Sequence, residues 1–130
     1  MHEQRVYSEV APVKDAFCFQ NALNAMFLLN QKYPAELTQI YSVDTPKGTH
    51  AYLVHYGAVY NKGVTWTNEY YPNYSLEEIQ EQGKDVTVDL LEQVLEIQDD
   101  IHSYGRFIRK QFGESGILYA EELYSQLTGG

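Results

Sequence analysis

One segment constrains the fold more than any other, residues 14–34 with the sequence KDAFCFQNALNAMFLLNQKYP. Read as a helix, it carries apolar side chains over most of its circumference: Cys18, Ala22, Ala25, Met26 and Leu29 share one face, and Phe19, Leu23 and Phe27 widen it. A helix this apolar is buried, so the rest of the chain must pack around it. Asp15 stands at the expected N-cap, and Pro34 ends the segment.

The residues that follow have the pattern of short strands. LTQIYSV at residues 37–43 alternates in polarity, and DTPKG at residues 44–48 has turn chemistry. THAYLVHY and AVYN then predict a hairpin around Gly57. Further strands are expected in RVYSEV, residues 5–10, and in VTWTNEYY, residues 64–71.

From Ser75 onward the pattern is helical. SLEE matches a capping box with Ser75 at the cap and Glu78 three residues on, and Gly83 stops that helix. Residues 88–112 have helical periodicity, with Gly105 bending or splitting the helix, and a last helix is expected over residues 117–127. This order predicts an α+β fold in one domain, residues 1–130, with a helix and antiparallel strands in 1–74 and a helical part in 75–130.

The charge of the chain limits its partners. Its 18 acidic and 9 basic residues give a formal net charge of −9, which opposes direct binding to nucleic-acid phosphates but leaves a basic protein partner open. In the helical part, Glu92, Glu96, Asp99 and Asp100 are interpreted as a solvated helix face or, alternatively, as an acidic recognition surface.

Other sequence signals bear on location and cofactors. No apolar run is long enough to span a membrane, the N-terminus lacks the pattern of a secretion signal, and a single cysteine excludes an internal disulfide. We therefore expect a cytoplasmic protein. Neither metal-ligand spacing nor a phosphate-binding glycine motif occurs, so no metal and no cofactor are expected.

Cys18 is the only thiol, and it falls near the start of the apolar helix. The partial positive charge of a helix N-terminus stabilises a thiolate relative to a thiol. A thiolate nucleophile also needs a histidine that shares its proton and later delivers it to a leaving group. The alternative is that Cys18 is simply a small buried side chain.

Two of the four histidines, His50 and His55, lie on one predicted strand. Their odd spacing places them on opposite faces, so a shared site is not expected. His50 opens the strand next to Gly48, which favours it as the partner of the thiol. Asn61, at the end of the following strand, is a candidate to orient the imidazole, although a turn at Asn61 is an equally good interpretation.

The order of these elements resembles the transglutaminase-like branch of the papain-like cysteine enzymes, in particular the bacterial transglutaminase-like cysteine peptidases. In that family the nucleophilic cysteine begins a buried helix, an alanine commonly follows four positions later, and a later strand opens with His-Ala. Cys18 and Ala22 match the first motif, and LTQIYSVDTPKGTHAYLVHYGAVYN, residues 37–61, matches the second in order and approximate spacing.

The resemblance implies Cys18 as nucleophile, His50 as general base and acid, and Asn61 where the family has an acidic residue. The expected reaction is acyl transfer by a thiol-dependent amide hydrolase or acyltransferase on a peptide or protein substrate. Candidates for oxyanion or substrate contacts are Gln20, Trp66 and Tyr70, with core packing as the other interpretation of the aromatic pair. The alternative function is a non-enzymatic acidic binding or inhibitor protein on a degraded papain-like scaffold.

Overall fold

The computed structural model describes residues 18–33, 37–60 and 71–129. These residues form four helices and one four-stranded antiparallel sheet, which confirms the α+β class. The helices are α1 (Cys18–Lys32), α2 (Leu76–Gln82), α3 (Thr87–Glu96) and α4 (Tyr104–Thr128), and the strands are β1 (Thr38–Thr45), β2 (Gly48–His55), β3 (Ala58–Tyr60) and β4 (Lys84–Asp85). The strands predicted at 5–10 and 64–71 lie outside the described residues, except for Tyr71.

The chain divides into two compact units, residues 1–86 and 87–130. In the first unit the strand order is β3-β2-β1-β4. The hairpin predicted around Gly57 is confirmed: Tyr56 and Gly57 both have positive φ, 53° and 84°, as a tight turn between two twisted strands requires. The strand predicted at 37–43 continues to Thr45, where the Thr45 hydroxyl donates to the Gly48 carbonyl at 2.7 Å.

One face of the sheet, the α2 face, is covered by α2. Tyr41 and Val43 of β1 point to this face together with Tyr52 and Val54 of β2, and all four pack with Ile79 of α2 in one buried cluster. Tyr41 is paired with Tyr52 across the two strands, so their side chains share the face.

The other face, the α1 face, is covered by α1. Ile40, Ala51 and Leu53 point to it and are at most 5% exposed. α1 packs against β1 and β2, and the described cluster on the α2 face contains no residue of α1. The burial expected for this helix is confirmed, because its residues from Asn21 to Phe27 are all buried.

Local chemistry explains the ends of α2. The Glu78 N–H donates to the Ser75 side-chain oxygen at 3.2 Å, and the Ser75 N–H donates to the Glu78 carboxylate at 2.9 Å, which confirms the predicted capping box. Gly83 ends the helix as predicted, and its N–H donates to the Ile79 carbonyl at 2.8 Å. A Cβ at Gly83 would lie 2.7 Å from Cγ2 of Val43, so the close approach of α2 to β1 requires glycine here.

The second unit pairs α3 with α4. The helical segment predicted over 88–112 is split, but the break lies at residues 97–103, before Gly105 and not at it. Gly105 instead allows close packing, since a Cβ there would run into the carbonyl oxygens of Val94 and Ile97. The backbone of α4 departs from helical geometry at Gly113, where φ is 67°. The last predicted helix therefore begins before residue 117.

Candidate functional site

Cys18 is the first residue of α1, as the sequence pattern indicated. Its side chain is partly exposed, whereas the residues from Asn21 to Phe27 further along the helix are buried. In general, the first backbone N–H groups of a helix point out of its N-terminal end and favour a thiolate placed there. Gln20 lies in the same turn and is also partly exposed. This corner of the molecule thus combines a thiol, a polar side chain and helix-terminal donors.

His50 is the third residue of β2, and its side chain lies on the α2 face because it is paired with Val43. It is only 2% exposed. Two aromatic rings contact the imidazole. The ring of Tyr71 is stacked on it with centroids 3.8 Å apart and planes 11° apart, and the ring of Tyr52 meets it edge-on at 5.0 Å and 89°. The orientation of the His50 ring is therefore defined from two directions.

Tyr52 links this ring contact to the backbone of the segment before α2. Its hydroxyl donates to the Pro72 carbonyl oxygen at 2.8 Å. Burial raises the pKa of Tyr52 above its usual value, and the neighbouring Tyr74 and Tyr71 raise it further. The hydroxyl consequently stays protonated, and remains a donor, throughout the ordinary pH range.

His55 lies on the α1 face, so the expectation that the two histidines occupy opposite faces is confirmed. It is 4% exposed, and its ring lies 5.9 Å from that of Tyr33, the residue after α1, and 6.4 Å from that of Tyr60. A helix of fifteen residues is about 22 Å long. His55 therefore belongs to the end of α1 opposite Cys18, and the structure does not bring these two residues together.

Three predicted site residues remain, together with one histidine that was not predicted as part of the site, His102. Asn61, Trp66 and Tyr70 lie outside the described residues. His102 is exposed in the connection between α3 and α4, where its N–H donates to the Asp100 carboxylate at 2.8 Å. Among the described ranges, no cluster of three or more His, Cys, Asp or Glu side chains could hold a metal ion.

Sequence reasoning missed the two tyrosines that contact His50. The signal for Tyr52 was present, because a residue two positions after His50 on a strand shares its face. Tyr71 has no comparable signal: it lies 21 positions after His50 in the chain, and only the return of the chain to the α2 face brings the rings together.

Comparison with protein-family models, with curated proteins and with solved structures finds no match to this chain. Within the described residues, none of the helices combines the length and apolar character needed to cross a membrane.

Proposed function

We propose that this protein is a thiol-dependent amide hydrolase or acyltransferase of the papain-like, transglutaminase-like kind, with Cys18 as nucleophile and His50 as general base and acid. The observation that carries the proposal is the packing of α1, which begins at Cys18, directly on β2, the strand that carries His50 near its start. A nucleophile at a helix N-terminus beside a histidine-bearing strand is the arrangement that the sequence resemblance implies.

The direction of α1 supports a meeting of the two groups at one end of the sheet. α1 ends beside His55, the last residue of β2. Its length of about 22 Å is close to the roughly 26 Å spanned by the eight residues of β2. A helix that runs along the strand in the same direction begins near Gly48 and Thr49, both of which are exposed.

The faces of the sheet set a condition on this proposal. His50 points to the α2 face, whereas α1 covers the other face. The thiol and the imidazole therefore have to meet around the open end of β2, next to the exposed Thr49, and not across the middle of the sheet.

In the proposed reaction, the Cys18 thiolate attacks the carbonyl carbon of an amide and forms a tetrahedral oxyanion. The His50 imidazolium gives its proton to the leaving amine as the C–N bond breaks, which leaves a thioester. Water or a second amine then attacks the thioester carbonyl and gives a proton to His50, and the C–S bond breaks, which releases the acid or the new amide and regenerates the Cys18 thiolate beside the His50 imidazolium. The backbone N–H of Cys18 and the side chain of Gln20 are candidate donors to the oxyanion, and Asn61 is the candidate that orients the imidazole.

The pairing is tested by the alkylation rate of Cys18 with iodoacetamide across a pH series. At pH 6 an ordinary thiol, with a pKa of about 8.5, is only about 0.3% ionised. If half of the protein holds a thiolate–imidazolium pair at this pH, the thiolate fraction is about 150 times higher. A thiolate of lower pKa is a weaker nucleophile, however, which reduces the gain in alkylation rate by about a factor of ten. We therefore expect Cys18 to react about tenfold faster at pH 6 in the wild type than in His50→Gln.

His55→Gln is the matched control, because His55 is equally buried on the same strand but faces the other side. It should leave the pH profile of alkylation unchanged, and Cys18→Ser should abolish labelling, since the chain has one cysteine. A thiol that reacts slowly at pH 6 and is indifferent to His50→Gln refutes the proposed function.

A second function, a non-enzymatic acidic binding protein, is favoured by a separate observation. Glu92, Glu96, Asp99 and Asp100 are all exposed in the second unit. Asp99 and Asp100 follow α3 and are not part of its face, so the four carboxylates occupy the helix and the connection after it. Retention of the chain by an immobilised basic protein at 0.15 M salt, lost when all four are changed to Gln or Asn, would support this function.

A further inference from the structure

We propose that Tyr71 and Tyr52 are positioning residues for His50, and that together they hold the imidazole in the orientation in which it serves Cys18. The inference rests on the proposed function. It assigns the chain segment between residues 71 and 74 a role in the site that neither the motif positions nor the resemblance indicated.

The stacking of Tyr71 on His50 restricts the imidazole on one of its faces. At 3.8 Å and 11° the two rings are in full face-to-face contact, so rotation of the imidazole about its Cβ–Cγ bond would drive it into the tyrosine ring. The phenol face also stabilises the positively charged imidazolium, the form that must donate a proton to the leaving amine. A leucine at this position supplies apolar contact but neither the flat surface nor the π electrons.

The ring of Tyr52 makes a second contact with the His50 imidazole. This ring is perpendicular to the imidazole at 89° with centroids 5.0 Å apart, so it adds a contact of different geometry to the imidazole. Tyr52 itself is completely buried and fixed in the core cluster of the α2 face. The imidazole is thus held between one ring from its own strand and one from a distant segment.

The hydrogen bond from the Tyr52 hydroxyl to the Pro72 carbonyl connects Tyr52 to the segment that carries Tyr71. The Pro72 carbonyl belongs to the residue that follows Tyr71, so this 2.8 Å bond fixes the backbone that carries the stacked ring. The ring of Tyr74 lies 5.8 Å from that of Tyr52 and adds a second contact to the same segment. Tyr52 therefore has two roles. Its ring contacts the His50 imidazole, and its hydroxyl holds the backbone next to Tyr71.

The test compares the Cys18 alkylation rate at pH 6 with the rate at pH 9.5 for each variant. At the higher pH the thiol is ionised without any help from a histidine, so that rate reports access to the sulfur, whereas the ratio of the two rates reports the effect of His50. We expect Tyr71→Leu to lower this ratio about tenfold, to the value of His50→Gln. Tyr71→Phe, which keeps the ring, should retain the wild-type ratio.

A second measurement reports the stacking independently of the thiol. In a protein with labelled histidine, the ring protons of His50 should show an upfield ring-current shift that is lost in Tyr71→Leu and kept in Tyr71→Phe. The matched control is Tyr56→Leu: Tyr56 is 78% exposed, and its ring lies 6.4 Å from that of His55. This substitution should change neither the His50 shift nor the rate ratio.

The outcomes separate the two proposals. If Tyr71→Leu loses the ring-current shift but keeps the wild-type rate ratio while His50→Gln loses it, the positioning role is overturned and the proposed function stands. If His50→Gln keeps the wild-type ratio, the proposed function is overturned and the positioning role with it. If Tyr71→Leu unfolds the chain, Tyr52→Phe still tests the proposal: its rate ratio should fall between those of the wild type and His50→Gln, and a full wild-type ratio counts against it.

Discussion

Removal of a single hydroxyl, by Tyr52→Phe, tests the physical account of the α2 face. The substitution keeps the ring that packs in the core cluster and meets His50 edge-on, and deletes only the donor to Pro72. Tyr52 is completely buried. A buried neutral hydrogen bond contributes about 1 kcal/mol to stability once the competing bonds to water are counted. We therefore expect the free energy of unfolding to fall by about 1 kcal/mol at pH 7.5.

The pH dependence of this difference is a stronger test than its size. Burial raises the pKa of Tyr52 in the folded chain, whereas the hydroxyl of the unfolded chain ionises near the ordinary value of about 10. Above pH 10 the folded state therefore holds a proton that the unfolded state has lost, and the wild type loses stability as the pH rises. By linkage, the wild type should lose about 0.8 kcal/mol from this group by pH 10.5, a loss that the phenylalanine variant does not share.

The assay is urea unfolding followed by far-UV circular dichroism at pH 7.5 and pH 10.5 for both proteins. The difference between wild type and Tyr52→Phe should shrink to near zero at the higher pH. Tyr124→Phe is the matched control, since the Tyr124 hydroxyl also donates a hydrogen bond, at 3.0 Å to Glu92, but on the exposed surface. It should have no measurable effect at pH 7.5. A Tyr52→Phe difference that is absent at pH 7.5, or unchanged at pH 10.5, would show that this hydroxyl is not held as described.

Two substitutions test the ends of α2. Ser75→Ala removes the acceptor for the Glu78 N–H and should lower the free energy of unfolding by about 1 kcal/mol in urea titrations. Ser75→Asp supplies a new acceptor and should recover most of this loss. Equal stability of the wild type and both variants would contradict the capping role. Gly83→Ala places a Cβ 2.7 Å from Val43 and 2.8 Å from the Ile79 carbonyl, so it should destabilise the fold by about 1–3 kcal/mol. Because Val43 is itself buried in the core, the comparison is made in a Val43→Ala background: a smaller cost of Gly83→Ala there than in the wild type would attribute part of the loss to the close contact with β1, and no loss in the single Gly83→Ala variant would contradict it.

The sequence predicted a helix end or a turn correctly where the residues that form it lie close together in the chain. The capping box of Ser75 and Glu78 is confirmed because both partners lie within four residues of each other. The hairpin at Gly57 is confirmed because positive φ there is a property of the turn itself. The helical segment over 88–112 is split, as one of the two interpretations of Gly105 allowed, but the break was misplaced because apolar spacing continues across residues 97–103, where packing of α3 against α4 requires the chain to reverse. The spacing of apolar residues indicates which side chains are buried, but it does not indicate where one helix ends and the chain reverses.

The candidate site shows the same division. Strand alternation was sufficient to separate His50 from His55, since a side chain's face on a strand follows from its position alone. Which face α1 would cover could not be deduced from alternation, because both faces of β2 are apolar and both are buried. The contact between Tyr33 and His55, and the cluster of Tyr52 with Ile79, decide that question only in the folded chain.

The amino-acid sequence by itself determined the α+β class, a buried helix with Cys18 near its start, and two histidines on opposite faces of one strand. These features depend on residues near one another in the chain, because the regular geometry of a helix or strand fixes the face to which the side chain at each position points. Only the tertiary structure decided the surroundings of His50. Strand alternation already places Tyr52 on the face of His50, but Tyr71 lies 21 positions further along the chain, and its ring stacks on the imidazole only in the folded protein, so no local pattern could indicate that contact.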